Sequence, residues 1–404
     1  MEGKRTIRKI SLKNFLSYGS EGQCLELEPL NVLIGPNASG KSNLLEAFRF
    51  LKSIPTADLT KPIREGGGAT EYLWKGASGI PTATIDLSLE SLEEEDFLNY
   101  KISFTADDWQ RLSLREERIQ YERDFPGEYA PFIYRYPDKN KQGLLYSQHL
   151  ATRSEEDEPP TFISQEIHID SNRSVLGWIR NPDQHPELAY LENLFLNIQF
   201  AGEWQLSRFS PSRLPQRTDL PTDTLWEDAS NLGLILNNYS TRTRQEILNQ
   251  LKQVYPEAEE IHPIVQGNTV QIFIHEQGSS TPIPAIRLSD GTLRYLCLLI
   301  LLKQPKLPPV LCIEEPETGL HPDVIHSIAE LLIEASQRTQ LIVTTHSEFL
   351  VSALSDIPEA VIVCERNENG SQLNRLDPES LKEWLERYSL GDLWMKGELG
   401  GTRW

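Results

Sequence analysis

Residues 31–42 read Asn31-Val32-Leu33-Ile34-Gly35-Pro36-Asn37-Ala38-Ser39-Gly40-Lys41-Ser42, and this stretch decides the fold. A short apolar run bounded by Gly35 is the pattern of a parallel strand buried on both faces. Leu44, Leu45, Phe48 and Leu51 follow at helical spacing. Between strand and helix, residues 35–42 match GxxxxGK[ST], in the context that motif needs. The glycines let backbone N–H groups close around a β-phosphate, and the helix N-terminus adds a positive dipole end. Lys41 supplies a point charge to the β- and γ-phosphates, and the Ser42 hydroxyl can ligate Mg²⁺.

Working outward, Ile7 to Leu12 and Cys24 to Glu28 read as strands. Ala83, Ile85, Leu87 and Leu89 alternate with polar residues, as do Tyr100, Ile102 and Phe104, so half-buried strands are expected there. From about 91 to 225 the character changes. Acidic runs (Glu93 to Asp96, Glu155 to Glu158 before Pro159-Pro160) and short strand-like stretches at Phe132 to Tyr136 and Phe162 to Ile169 suggest an insertion with solvated loop tips. From about 226 helix and strand alternate again. Thr241 to Tyr255, Leu293 to Lys303 and Pro322 to Ala335 are helical, while Val270 to His275, Val310 to Ile313, Leu341 to Thr345 and Ala360 to Cys364 are strands. That alternation argues a mostly parallel α/β sheet, and no fixed-period repeat is present.

Three further motifs carry chemistry. Val310-Leu311-Cys312-Ile313-Glu314-Glu315 reads as a buried strand delivering two carboxylates at its C-terminal edge. Phosphoryl transfer needs one carboxylate on the Mg²⁺ side, assigned to Glu314, and one to orient the attacking water, assigned to Glu315. Glu317 competes for either role. Leu288-Ser289-Asp290-Gly291-Thr292 opens the helix upstream of that strand, where Ser289, Gly291 and free N–H groups form an anion site. Alone this is a common helix cap; its position one helix before Glu314-Glu315 gives it weight. His346, just past a buried strand, stands where it could sense a γ-phosphate.

In order, GPNASGKSN, LSDGT, VLCIEEPETGLHP and LIVTTHS resemble an ABC-type ATPase head of the RecF/SMC/OLD-like group. Glu314 to Pro322 is especially like bacterial AAA-family ATPases related to OLD proteins, and ISLKNFLSYG resembles the first strand of RecF-like and SMC-like heads. The resemblance covers roughly 1–90 and 226–404. It implies an ABC-type P-loop head, a mostly parallel sheet with an antiparallel β subdomain, and leaves 91–225 as an α+β insertion.

The resemblance makes Gly35, Pro36, Asn37, Ala38, Ser39, Gly40, Lys41, Ser42 and Asn43 the Walker A loop and Glu314-Glu315 the Walker B pair. It makes Ser289, Asp290 and Gly291 the signature, facing the γ-phosphate of an opposite subunit. Gly319 to Pro322 would be the D-loop and His346 the switch histidine. The resemblance thus implies ATP and Mg²⁺ as ligands and a homodimer, or a higher homo-oligomer through the heads, as the working unit. Two departures stand out. The Mg²⁺ carboxylate is Glu314, a Glu the OLD-like group shares, where ABC proteins usually have Asp, and no glutamine occurs between Leu44 and Trp109 to serve as the Q-loop residue.

There is no long heptad pattern, so no extended coiled coil is expected. OLD proteins proper carry a TOPRIM nuclease domain, but no Asp-x-Asp follows His346. The ending, Tyr388 to Trp404, is similar to the tails of bacterial ATPases encoded beside a separate small TOPRIM-like protein. The expectation is therefore an ATPase sensor or scaffold in a bacterial DNA-transaction or anti-phage defence system, controlling a separate TOPRIM-like nuclease. The alternatives are a RecF-like repair ATPase that grips duplex DNA itself, or a nucleotide-switched assembly protein with little turnover. Trp384, Trp394 and Trp404 read as packing against the sheet or as an aromatic partner anchor. Arg208, Arg213 and Arg217, and Arg111, Arg115, Arg118 and Arg123, read as solvated faces or as a DNA-contacting strip. Lys13 and Asn14 could reach the nucleotide and Tyr18 could stack on adenine.

Composition agrees. The chain has 404 residues, 39% hydrophobic and 24% charged, which excludes global disorder. Its longest apolar run, Tyr295 to Leu302, is eight residues, against roughly 20 for a membrane span. The net charge of −20 argues against strong, unassisted DNA binding. Cys24, Cys297, Cys312 and Cys364 are scattered among apolar neighbours, and buried free thiols in a reducing cytoplasm are expected.

Overall fold

The computed structural model describes residues 3–401 except 57–58, 93–95, 123–131, 137–141, 148–162, 180, 203 and 205. The acidic runs at 93–95 and 155–160, together with Phe162, Arg123 and Trp404, lie outside the described residues.

Strands β1 (Ile7–Lys13), β2 (Gln23–Glu26) and β3 (Leu30–Ile34) lead into helices α1 (Lys41–Ser53) and α2 (Lys61–Glu65). An antiparallel run follows: β4 (Ala83–Glu90), β5 (Phe97–Ala106), β6 (Leu112–Tyr121), β7 (Phe132–Tyr136), β8 (Gln142–Ser147) and β9 (Ile163–His168). Then come α3 (Pro186–Leu196), β10 (Gln199–Ala201), β11 (Gln216–Arg217), α4 (Leu232–Asn238) and α5 (Thr241–Leu251). Next are β12 (Ala258–Gln266), β13 (Thr269–Glu276), β14 (Ile283–Pro284), α6 (Asp290–Leu302) and β15 (Val310–Glu314). The chain closes with α7 (Ile325–Ser336), β16 (Gln340–Thr344), α8 (Glu348–Ser352), β17 (Val361–Asn367), β18 (Gly370–Arg375), α9 (Pro378–Leu385) and α10 (Leu390–Met395).

The central sheet has the order β10-β15-β16-β3-β17-β18, parallel throughout except for the β17–β18 hairpin. Its strands are apolar runs because both faces are covered. Leu33, Cys312, Ile342 and Ile362 point into one core; Val32, Ile34, Leu311, Ile313, Leu341, Val343, Val361 and Val363 point into the other, with residues of α5, α6 and α7. The first core is shared with α1 and with an eight-stranded sheet of order β2-β1-β4-β5-β6-β7-β8-β9, antiparallel at every pairing. Phe50 of α1 stands 4.8 Å, centroid to centroid, from Phe104 of β5. Losing such a ring costs about 3–5 kcal/mol, so this contact pins the helix that carries Lys41. A third, small sheet has the order β11-β13-β12, with β14 beside β13.

Strands β5 to β9, inside the stretch read as an insertion, extend the sheet that β1 and β4 begin. Residues 199–201 return to the central sheet as the edge strand next to β15. Among the described residues no helix is long and apolar enough to cross a membrane. Cys297, Cys312 and Cys364 are buried, but Cys24 is exposed: on β2 it occupies the outward position, and its neighbour Leu25 takes the inward one.

Candidate functional site

The site forms at the C-terminal ends of three adjacent parallel strands, where open α/β sheets hold their ligands. The register sets Leu33 of β3 beside Thr344 of β16, and Thr344 beside Glu314 of β15. The phosphate-loop motif, the paired acids and His346 are far apart in sequence and are brought together by this pairing.

The loop after β3 turns on Gly35 (φ 143°), Ala38 (φ 63°) and Gly40 (φ 110°). Glycine is required at 35 and 40. A Cβ at Gly35 would stand 2.2 Å from the Cys364 carbonyl oxygen, and one at Gly40 2.4 Å from Ser371 Oγ. Helix α1 begins after Gly40 with no side chain capping its N-terminus. Its first N–H groups are therefore free to meet an anion. Lys41 is buried, and its Nζ donates to the carbonyls of Gly35 (2.7 Å) and Pro36 (2.9 Å). Burial lowers the pKa of this ammonium, and the Glu315 and Glu314 carboxylates oppose the shift. Cys364 is neutral near pH 7, because burial pushes its thiol up to about 12, and so it adds no charge beside Lys41.

Ser42 Oγ donates to Glu314 Oε1 at 3.0 Å. A hydroxyl and a carboxylate this close supply the hard oxygen ligands that Mg²⁺ takes together with phosphate oxygens. The uncapped helix end, the partnerless buried Ser39 Oγ and the Ser42–Glu314 pair fit Mg-ATP. Glu315 has φ 43°, a left-handed conformation that is strained for a residue with a Cβ. Its N–H donates to Thr344 O (3.0 Å), its Oε2 accepts from Thr318 Oγ1 (3.1 Å), and its Oε1 lies 3.6 Å from His346 Nε2. The cleft between these groups, about 140 Å³, is lined by Asn37, Ala38, Gly40, Lys41, Ser42, Asn43, Glu315, Thr344 and His346.

Asn43, which also lines the cleft, donates to Ser17 Oγ (2.7 Å), and Ser371 Oγ donates to the same atom (2.6 Å). This brace under the loop joins residues more than 350 positions apart, and no local sequence signal marks it. Tyr18 is fully buried and donates to the Gly40 carbonyl (2.9 Å), so it supports the loop from below and offers no face to adenine. The Asn14 amide is engaged by the Thr82 carbonyl and its oxygen by Ser20. Ser289, Asp290 and Gly291 do not line the cleft. Ser289 caps α6 through Thr292 N (3.0 Å), and a Cβ at Gly291 would stand 2.9 Å from the Gly319 carbonyl oxygen.

Arg213 is neither solvated nor available to DNA. It is buried and donates to the carbonyls of Leu206 (3.2 Å), Ala285 (3.2 Å) and Leu288 (2.6 Å) and to Asp290. It thus holds the loop that enters α6. Arg217 pairs with Asp219 and Arg111 with Asp107. Trp394 is buried, its Nε1 donating to Gly401 O (2.9 Å), whereas Trp384 is 45% exposed.

The family described as "AAA domain, putative AbiEii toxin, Type IV TA system" matches residues 30–352. The chain is similar to the Old nuclease of Escherichia phage P2, 22% identical over 400 residues that cover 93% of this chain and 62% of that protein. The chain thus spans about three-fifths of that relative's length. It is also similar to the DNA replication and repair protein RecF of Desulforamulus reducens, 46% identical over 44 residues, covering 11% of this chain and 12% of that one. Among solved structures, an Smc head bound to the C-winged helix domain of ScpA superposes with a TM-score of 0.58 at 13% identity, covering 93% of this chain and 99% of the other. An Smc head bound to the C-terminal domain of ScpA, derived from Pyrococcus furiosus, gives 0.56 at 13% identity, covering 94% and 98%.

Proposed function

The chain belongs to this AAA-domain family, as an ABC-type ATPase head of the RecF, SMC and OLD group, and from that premise we propose that it binds Mg-ATP between two copies of itself and hydrolyses it. One observation carries the reading: the uncapped helix end, with Lys41 and a Ser42 bound to Glu314, shares one cleft with the Glu315–His346 pair. Lys41 exchanges its two carbonyl partners for the β- and γ-phosphate oxygens. Ser42 and Glu314 hold Mg²⁺, which neutralises phosphate charge when bound. Glu315 orients a water for in-line attack on the γ-phosphorus, and His346 meets the γ-phosphate. The products are ADP and phosphate.

A cleft of about 140 Å³ is well below the roughly 300–1,000 Å³ of ligand pockets. A second copy supplies the missing wall, and Ser289 to Gly291, outside the cleft in their own subunit, face the γ-phosphate of the partner. Heads close on ATP and reopen on hydrolysis. We assign this cycle to the control of a separate TOPRIM-like nuclease in a bacterial DNA-transaction or anti-phage defence system. The likeness to the Old nuclease supports the link to a nuclease.

A second reading, a RecF-like head that grips duplex DNA itself, is favoured by Lys101, Arg118 and Arg135 standing in one cross-strand row on the eight-stranded sheet. DNA-stimulated turnover that falls steeply with salt would select it.

The test is Glu315→Gln. With ATP the variant should bind nucleotide, release no phosphate and double its mass in light scattering. A pull-down of the trapped form from its native cells should recover a nuclease. Recovery of itself with chromosomal DNA favours the second reading, and unchanged turnover removes Glu315 from the mechanism and favours a nucleotide-switched assembly protein.

A further inference from the structure

We propose that Glu317 is a positioning residue for hydrolysis, which fixes the main chain at His346 and so sets the imidazole against Glu315. This rests on the ATPase reading above. The turn after β15 points Glu315 into the cleft and brings Glu317 back beneath the end of β16. There Glu317 Oε1 accepts from Thr345 Oγ1 (2.6 Å) and from the His346 N–H (2.9 Å). Thr345 Oγ1 in turn accepts from the Ser347 N–H (3.0 Å), and Ser347 Oγ caps α8 through Leu350 N (3.3 Å). One carboxylate oxygen therefore organises three consecutive residues, with His346 in the middle.

The arrangement is costly. Glu317 Oε2 is shielded from water and has no hydrogen-bond partner. A buried carboxylate oxygen without a partner is a desolvation loss. Glu317 is also not among the residues that line the cleft, so neither metal ligation nor water activation explains it. Its two hydrogen bonds lead to the main chain and hydroxyl beside His346, whose Nε2 is 3.6 Å from Glu315 Oε1. The link runs from the turn of the paired acids to the histidine across the cleft, so a shift of either is felt by the other.

The experiment combines Glu317→Ala, Glu317→Gln, His346→Ala and the double variant Glu317→Ala/His346→Ala. Steady-state phosphate release and amide hydrogen exchange over 343–350 are measured. Glu317→Ala should lower kcat about 10- to 100-fold, the scale of a misplaced catalytic group, with KM for ATP and the Mg²⁺ dependence unchanged. Glu317→Gln, whose carbonyl accepts from the same donors, should recover most of the rate. In the His346→Ala background the Glu317 substitution should add no further loss. Independent of turnover, Glu317→Ala should speed exchange at 345–347 and Glu317→Gln should not. Unchanged exchange, additive kcat losses, or an altered Mg²⁺ dependence would each overturn the proposal. A wild-type protein that releases no phosphate while Glu317→Ala still speeds exchange would instead remove the ATPase reading and leave the positioning contact standing.

Discussion

Replacing Arg213 by alanine separates the site that the cleft presents from the site a second copy would complete. Arg213 is 2% exposed and spends its guanidinium on three carbonyls and Asp290. The substitution strands the carbonyls of Leu206 and Leu288, while the Ala285 carbonyl keeps the Leu288 N–H (3.1 Å), and it leaves the exposed Asp290 without its cation. At about 1–3 kcal/mol for each buried carbonyl left unpaired, the two cost about 2–6 kcal/mol. The entropy of unfolding is about 2.1 cal/mol/K per residue, roughly 0.85 kcal/mol/K for 404 residues, so Tm should fall by about 2–7 °C. Arg213→Lys keeps the charge but loses the planar fork and should fall between the two. None of the broken contacts lines the cleft, so fluorescent ATP-analogue affinity should stay within about threefold. Phosphate release should drop much further, because the loop entering α6 carries Ser289 to Gly291. A Tm within 1 °C of wild type, or an affinity that falls as far as turnover, would refute this reasoning.

The other predictions are narrower. Glu315 has φ 43°, so Glu315→Gly should be more stable to urea than Glu315→Ala by about 0.5–1 kcal/mol, reversing the usual order. An equal or higher midpoint for the alanine variant would show that the turn is not strained. Glu117 is buried against Tyr100, Ser174 and the Val175 N–H, and burial raises its pKa above the ordinary carboxylate value. The folded state therefore keeps that proton to higher pH than the unfolded chain. The linked stability is full below the unfolded value, about 4.3, and is lost as pH rises through the folded one. Relative to Glu117→Gln, the wild type should thus lose stability as pH rises from about 4. A stability gap that does not change with pH would contradict it.

The central sheet was legible because its strands are buried on both faces and read as apolar runs ending in glycine or acid. The strand before Gly35, the strand before Glu314 and the strand before His346 all stand where periodicity puts them. What escaped had no periodic signal. β10 has three residues and is a strand only because β15 pairs with it. β6 carries a register irregularity opposite Ser103 and Phe104, and a buried acid, Glu117, at an inward position, so its alternation is broken twice. By residue type alone, Tyr18 could stack on adenine and Arg213 reads as a solvated face or part of a DNA-contacting strip. Each is buried with backbone carbonyls as partners, and those partners come from distant segments that no spacing announces.

The same physics explains why the motifs are individually ordinary and jointly specific. A glycine-rich turn, two acids after a strand and a histidine after another are each common. Their meaning comes from sheet order: β3, β16 and β15 are neighbours, so three chain segments end side by side, and each ending supplies one kind of group. The loop supplies N–H donors and a cation, β15 supplies anions, and the end of β16 supplies Thr344 and His346. Strain collects at the same edge, where Glu315 holds a left-handed backbone and Glu317 a bare buried oxygen. Neither feature stabilises the fold, and both lie within the turn that follows β15. The two features are tested separately: Glu315→Gly should relieve the left-handed turn and lose turnover, whereas Glu317→Gln, which keeps the acceptor for Thr345 Oγ1 and the His346 N–H, should keep most of it.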